Sequence, residues 1–214
     1  MQKRRYAGLF AGILSVMIAA GVTGCGSTKE PLDVTNLQIE ESGAVVHTII
    51  EDFDTTVYDV AGLETMISEE ITAYESENAA TDSITLVSSV MSETEANKLT
   101  VTMQFADVKT YAGFNNVETF YGTVTEAKEA GYDLEALTFT DTSDDGKTVS
   151  LAEIKDADTL HVFISNEKIP VRLSKKILYT FGNVELFDKY TVSNLPDAED
   201  TTAETDGLYY VITK

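Results

Sequence analysis

The stretch LTVTMQF, residues 99–105, has the clearest strand pattern in this chain and indicates its fold class. Its apolar residues Leu99, Val101, Met103 and Phe105 alternate strictly with threonine and glutamine. A period of two places the apolar side chains on one face of a β-strand and the polar side chains on the other. The stretch therefore predicts a half-buried strand with one face against a hydrophobic core.

Other segments that favour strands lie on both sides of this stretch. Upstream, residues 36–41 and 44–52 flank Ser42 and Gly43, a pattern that predicts a hairpin. The apolar, serine-containing segment 84–91 precedes the first stretch directly. Downstream, the chain contains seven further strand-like segments, at residues 137–140, 148–151, 160–165, 169–173, 177–181, 184–187 and 208–213.

One segment, residues 59–77, has helical periodicity. Its apolar residues recur at a spacing of three and four and would form one face of a helix; they are Leu63, Met66, Ile67, Ile71 and Tyr74. Asp59 can accept hydrogen bonds from the first turn as an N-cap. The pattern predicts a long amphipathic helix that covers a sheet.

Shorter helices are predicted near Asp107 and after Thr123. Thr123 and Glu126 have the spacing of a capping box, and Gly131 is placed to end that helix. The predicted fold is therefore α+β: a mainly antiparallel sheet covered by one long amphipathic helix at about 59–77, with one or two short helices. Residues 36–214 would form this acidic domain, with a possible subdivision near 106–135. The loop at 196–207 is acidic and lacks large apolar residues.

The first 24 residues have the layout of a secretory signal peptide. Lys3, Arg4 and Arg5 precede an uncharged, largely apolar segment at residues 6–22, which ends in small residues. An uncleaved transmembrane anchor is the alternative, although the apolar segment is shorter than the approximately 20 residues that span a bilayer.

The segment Val22-Thr23-Gly24-Cys25 resembles the lipobox of bacterial lipoproteins. The resemblance covers residues 1–25 only. It implies cleavage between Gly24 and Cys25, and attachment of a diacylglyceryl group to the Cys25 sulfur, often with further acylation, such as palmitate, of the new amino group. Cys25 would then hold the protein on the extracellular side of the cell membrane, or in an outer membrane if the cell has one. Residues 25–35 would be the lipidated tether.

The net charge narrows the classes of partner. The chain has 15 Lys and Arg against 36 Asp and Glu, a formal net charge of −21. Removal of the signal peptide with its three basic residues leaves 12 basic residues and a charge of −24. Such a surface repels phosphate backbones and anionic lipids, which argues against nucleic-acid binding and favours cations or basic protein surfaces. Cys25 is the only cysteine, so no intrachain disulfide can form.

The acidic stretch DTSDDGKTVSLAE, residues 141–153, contains a partial P-loop match. Residues 146–148, Gly-Lys-Thr, resemble the end of that motif. However, Asp141 occupies the position of the first glycine, and Asp144 and Asp145 would repel the phosphates that the loop must bind. We therefore exclude a phosphate-binding loop here.

The same stretch also matches part of a calcium-binding loop. Asp141, Ser143, Asp145 and Gly146 correspond to positions 1, 3, 5 and 6 of an EF-hand loop, which makes the first three candidate Ca²⁺ ligands. Position 12, which should hold a bidentate glutamate, is Ala152, and the flanks look like strands. The interpretation we favour is a hairpin that turns at Asp145-Gly146.

Other catalytic patterns are incomplete. Residues 165–168 match S-x-x-K, but Pro170 prevents the required helix and the companion motifs are missing. The chain has two histidines, His47 and His161, both inside predicted strands. We interpret each as a solvent-facing or core histidine rather than as a catalytic base. With Cys25 acylated, zinc ligands of the Cys and His type are too few for a metal site.

These observations predict a lipid-anchored surface protein whose domain binds or interacts without catalysis. Its partner would be an extracellular protein or a small ligand, and its only prosthetic group the lipid on Cys25. No catalytic residue is assigned. Two alternatives remain open: a hydrolase of cell-wall or dietary glycans that uses a pair of carboxylates, and a calcium-binding surface module.

Overall fold

The computed structural model describes residues 32–143, 146–194 and 207–214. The predicted signal peptide, Gly24, Cys25 and most of the tether therefore lie outside the described residues, as do Asp145 and nearly all of the acidic loop at 196–207.

The described part of the chain forms thirteen β-strands, three α-helices and three short 3-10 helices. The α-helices are α1 (Val60–Glu77), α2 (Val108–Asn115) and α3 (Val124–Glu129), and the 3-10 helices span Leu134–Ala136, Leu151–Glu153 and Ala157–Thr159. The strands are β1 (Asn36–Ile39), β2 (Val45–Asp52), β3 (Ile84–Met91), β4 (Lys98–Phe105), β5 (Thr119–Thr123), β6 (Thr138–Asp141), β7 (Thr148–Ser150), β8 (His161–Ser165), β9 (Val171–Leu173), β10 (Ile177–Phe181), β11 (Val184–Leu186), β12 (Thr191–Asn194) and β13 (Tyr209–Thr213).

The strands of the described ranges form two sheets. The first has seven strands in the order β11-β12-β9-β1-β2-β4-β3, and the second has six in the order β5-β8-β13-β10-β6-β7. Most strand pairs are antiparallel, whereas β1 pairs with β9 in parallel and places Leu37 opposite Val171. The predicted mixed α and β class with mainly antiparallel pairing is confirmed.

The predicted long amphipathic helix is wrong. The helices are short, and the longest, α1, has no buried residue, while Met66 of the expected core face is 55% exposed. The apolar residues on this face are only half-buried, because α1 packs mainly on the adjacent β3 rather than across a broad sheet surface. Asp59 does cap the helix, since its carboxylate accepts from the N–H groups of Ala61 and Gly62. Among the described residues, no helix has the length and apolarity needed to cross a membrane.

The chain divides into two compact units. The first unit includes the described residues up to Asn36 together with His47–Gln104. Its interior holds the apolar side of β4, where Leu99, Val101 and Met103 are buried as their alternation predicts, while Gln104 is exposed.

The second unit includes Leu37–Val46 and Phe105–Lys214. One face of its six-stranded sheet carries Val162, Ile164 and Ile212, which are completely buried. This face packs against α3 and the 3-10 helices, which contribute Val124, Ala127, Leu134, Leu151 and Ile154 to the same hydrophobic cluster. The cluster therefore fixes α3 and the 3-10 helices as a layer over the sheet.

Candidate functional site

A groove of about 670 Å³ lies in this outer layer of the second unit. It is formed where α3 and the three 3-10 helices meet, and its polar side chains include Lys128, Glu135, Asp156 and Asp158. Grooves that combine an apolar floor with a few charged groups are the usual places for ligands. We therefore take this groove as the candidate functional site.

Local hydrogen bonds fix the helices that shape the groove. At the start of α3, the Thr123 hydroxyl accepts from the Glu126 N–H, and Glu126 Oε2 accepts from the Thr123 N–H at 2.7 Å. This is the predicted capping box, and Gly131 ends the helix region with a φ of +99°. On the other side of the groove, Glu153 Oε2 accepts from both the N–H and the hydroxyl of Ser150.

A lysine joins two carboxylates in the groove. Lys128 Nζ lies 3.1 Å from Asp158 Oδ1 and 3.3 Å from Glu135 Oε1. The hydrogen bond to Asp158 raises the pKa of Lys128, with a further contribution from Glu135. Because both oxygens contact one nitrogen, they lie at most about 6.4 Å apart. This upper limit allows the separation of roughly 5–5.5 Å found in retaining glycosidases, and it lies below the roughly 6.5–9.5 Å of inverting ones.

The groove carboxylates are open to solvent. The side chains of Glu135 and Asp158 are 75% and 70% exposed, and Lys128 neutralises part of their charge. A glycosidase needs one carboxyl to hold a proton near neutral pH, which enzymes achieve by desolvation. The upper limit on their separation is compatible with such chemistry, but the two carboxylates lack the buried environment.

A second polar cluster is buried in the same unit. Glu167, in the loop after β8, accepts a hydrogen bond of 2.5 Å from the Tyr111 hydroxyl of α2. Its own N–H donates to Ser165 Oγ at 3.0 Å, and that oxygen lies 3.0 Å from Thr119 Oγ1. Tyr209 is also buried, and the charge of Glu167 contributes to raising the pKa of its hydroxyl.

Desolvation governs the ionisation of this buried cluster. Burial raises the pKa of Glu167, which the hydrogen bond from Tyr111 partly offsets. Burial, followed by repulsion from Glu167, raises the pKa of Tyr111 and of Tyr209. Both tyrosines therefore stay protonated, and the Tyr111 hydroxyl donates to Glu167. Groups with strongly shifted pKa values often mark functional sites, but structural networks shift them too, and this cluster serves to hold segments together.

The structure accounts for Ser165 of the S-x-x-K match. Ser165 is the last residue of β8 and is completely buried, rather than opening a helix. Its hydroxyl is occupied by Thr119 and by the Glu167 N–H, so it serves the buried cluster.

The two histidines have different surroundings. His47, in β2, is buried, and this burial lowers its pKa to about 4. It is therefore uncharged at neutral pH, as expected for a core histidine. His161, in β8, is half-buried, and its ring centroid lies 5.4 Å from that of Tyr121. Its neighbours across the sheet are Thr123 and Thr213.

The 141–153 stretch forms the predicted hairpin. β6 and β7 pair with Phe139 opposite Val149, and Gly146 adopts a φ of +76° in the turn. Asp141 Oδ1 accepts from the N–H and hydroxyl of Ser143 at 2.8 and 2.6 Å, which lowers its pKa.

Calcium binding by this hairpin stays a prediction. The third candidate ligand, Asp145, lies outside the described residues. Two lysines, Lys147 and Lys176, also lower the Asp141 pKa, so positive charge already stands near this carboxylate. In the described part of the chain, no group of three or more His, Cys, Asp or Glu residues is arranged to hold a metal ion.

Neither the groove nor the buried cluster was predicted from the sequence. Lys128, Glu135 and Asp158 come from three separate elements and share no motif spacing. Tyr111 and Glu167 are 56 residues apart. The one available signal was the capping box at Thr123, which located α3 but not the charges that face it.

Comparisons with protein-family models, with curated proteins and with solved structures found no match. The function is therefore inferred from the residues of this chain and their arrangement.

Proposed function

We propose that the protein is a lipoprotein whose mature chain begins at a lipidated Cys25 and carries a non-enzymatic binding domain outside the cell membrane. The resemblance of residues 22–25 to a lipobox, after a basic start and an apolar segment, supports the anchor. A diacylglyceryl group supplies two acyl chains. Because one chain gives only marginal membrane binding and two give stable anchoring, Cys25 would suffice as the attachment point.

The ion pairing in the groove is the observation that supports a binding role without catalysis. Lys128 contacts both Glu135 and Asp158, and both carboxylates are mostly exposed. This arrangement supports recognition of a ligand by charge and hydrogen bonding rather than proton transfer from a desolvated acid.

The anchor is tested by replacing Cys25. Cells that express the full chain would be labelled with an alkyne-tagged fatty acid and separated into membrane and medium. We expect the natural chain to carry the label and stay with the membrane, and Cys25→Ala to lose both properties. Ser27→Ala is the matched control, because it alters a small residue two positions from the lipobox. Full membrane retention of Cys25→Ala without label would refute lipid anchoring.

A glycan hydrolase is the second candidate, because two carboxylates in the groove contact the same lysine and therefore lie within about 6.4 Å of each other. Its test is hydrolysis of peptidoglycan and of chromogenic plant or mucin glycosides by the purified protein. Glu135→Gln and Asp158→Asn should each abolish turnover. Asp156→Asn should retain it, because Asp156 lies in the same groove but outside the Lys128 bridge, the pair of contacts of Lys128 with Glu135 and Asp158. Turnover that responds in this way would show that the groove is catalytic, and the proposal of a non-enzymatic binding domain would be wrong.

A further inference from the structure

Strand β3 forms one end of the seven-stranded sheet. β4 lies on one side of it, and no strand of the described ranges lies on the other. β3 is eight residues long and contains no charged residue, proline or glycine. Val87 and Val90 are 54% and 57% exposed. A strand of this kind presents backbone N–H and C=O groups and apolar side chains to an incoming chain.

The other edge strands in the described part of the chain are shorter. β11 and β7 have three residues each, and Glu185 in β11 adds a charge. β5 has five residues and includes a glycine. Short strands, charges and breaks are the features that prevent pairing at sheet edges. β3 has none of these three protections. Although α1 packs on β3, no strand of the described ranges pairs with its outer edge, so it is the edge best suited to accept another strand.

The charges around β3 define the partner. Residues 47–104 contain twelve Asp and Glu residues and a single lysine, Lys98. Lys98 Nζ lies 2.9 Å from Asp52 Oδ1, so its charge is compensated. A second copy of the chain, which carries a net charge of −21, would be repelled by this field. A segment rich in lysine and arginine would be attracted.

We propose that the outer edge of β3 binds an extended basic segment of a partner protein, which extends the sheet by one strand. Backbone hydrogen bonds would supply much of the affinity. Val87 and Val90 are three positions apart and lie on opposite faces of the sheet, so apolar side chains on either face of the segment would contact one of them. The acidic residues of this unit attract the basic side chains and raise the association rate. This inference rests on the binding role proposed above and specifies its partner.

The test uses the full-length protein in detergent micelles and fluorescent peptides of alternating lysine and valine. Binding is measured by fluorescence anisotropy, with an alternating glutamate and valine peptide as the charge control. We expect the basic peptide to bind, to weaken as salt rises from about 50 to 300 mM, and to protect amides of residues 84–91 from hydrogen exchange. The acidic peptide should not bind.

Two variants separate strand addition from general attraction. Val87→Lys places a charge on the edge and should weaken binding by about tenfold or more, because edge lysines block strand pairing. Val57→Lys is the matched control: it makes the same change at a residue of this unit that is 67% exposed and outside β3. We expect it to weaken binding less than about threefold, through charge alone. Val90→Lys provides a second edge variant.

Equal losses for Val57→Lys and Val87→Lys would overturn the proposal, as would binding without protection of residues 84–91. Formation of a dimer that Val87→Lys disrupts would also overturn it, by assigning the edge to a second copy. If the natural chain does not bind the basic peptide while Cys25 is still labelled with the fatty acid, this inference is refuted and the lipid anchor is not.

Discussion

The Tyr111 hydroxyl donates a hydrogen bond of 2.5 Å to Oε1 of Glu167, across 56 residues of sequence. It ties α2 to the loop after β8 inside the second unit. Burial raises the pKa of both groups, so the tyrosine keeps its proton and the carboxylate is held in a poorly solvated site. The bond therefore compensates a charge that the fold has removed from water.

Replacing Tyr111 by phenylalanine should destabilise the protein by about 1–3 kcal/mol, because it leaves a buried acceptor without this donor. The aromatic contact with Phe105, at 5.2 Å between centroids, would be kept. Chemical denaturation at pH 7 measures the effect. Tyr132→Phe, which removes a hydroxyl from a tyrosine that also packs against a phenylalanine, is the control. A Tyr111→Phe variant as stable as the natural chain would show that the bond contributes nothing.

Replacing Glu167 by glutamine should change how stability depends on pH. Because burial raises the Glu167 pKa in the folded state, its contribution to stability is greatest below the unfolded value of about 4.3 and declines as pH rises through the folded value. Glutamine can still accept from Tyr111 but does not ionise. We therefore expect Glu167→Gln to gain stability relative to the natural chain as the pH rises above about 4.3. A difference that stays constant with pH would contradict this.

His47 should make the stability of the protein depend on pH in the direction opposite to that of Glu167. Burial lowers its pKa to about 4 from the ordinary value of 6.5, so the unfolded chain binds a proton that the folded chain rejects. Stability should thus fall as pH drops from 6.5 to 4, by roughly 1 kcal/mol per pH unit from this group. Thermal melts of the natural chain and of His47→Gln across that interval give the contribution by difference. Parallel curves for the two proteins would refute it.

Gly182 should tolerate no side chain. Its φ is +101°, and an added Cβ would lie 2.9 Å from Tyr209 Cβ and 3.1 Å from Tyr209 Cα. Gly182→Ala therefore combines backbone strain with a clash against a buried strand, and we expect a loss of about 2–4 kcal/mol. Gly131→Ala is matched in φ, at +99°, but meets nothing within 4 Å, so it should lose only about 1 kcal/mol. If the two variants lose similar free energies of unfolding in urea, the contact with Tyr209 does not contribute to the effect of Gly182→Ala.

Periodicity and turn residues predicted much of the secondary structure. The alternation at 99–105 located β4, and Gly43 and Gly146 located two turns with positive φ. The segment 177–181 coincides with β10. Such signals are local, because each depends on side chains within a few residues of one another.

Two strands have only weak local signals, and the other features that the sequence did not predict depend on distant contacts. β5 was missed because its five residues include Gly122 and end at the N-cap of α3, and β12 because its four residues precede the acidic loop. The helical spacing of α1 predicted the helix but not its exposure, since burial depends on what packs against it. The Lys128 bridge likewise needs three separate elements to meet.

The parallel pairing of β1 with β9 has a consequence for the timing of folding. Leu37, close to the start of the described chain, finds its partner Val171 more than 130 residues later. Synthesis proceeds from the amino terminus, so β1 leaves the ribosome long before β9, the strand that completes its ladder. Ladders between such distant segments form slowly, because a long loop must close first. The late arrival of β9 would leave β1 without this parallel partner until most of the chain has been synthesised.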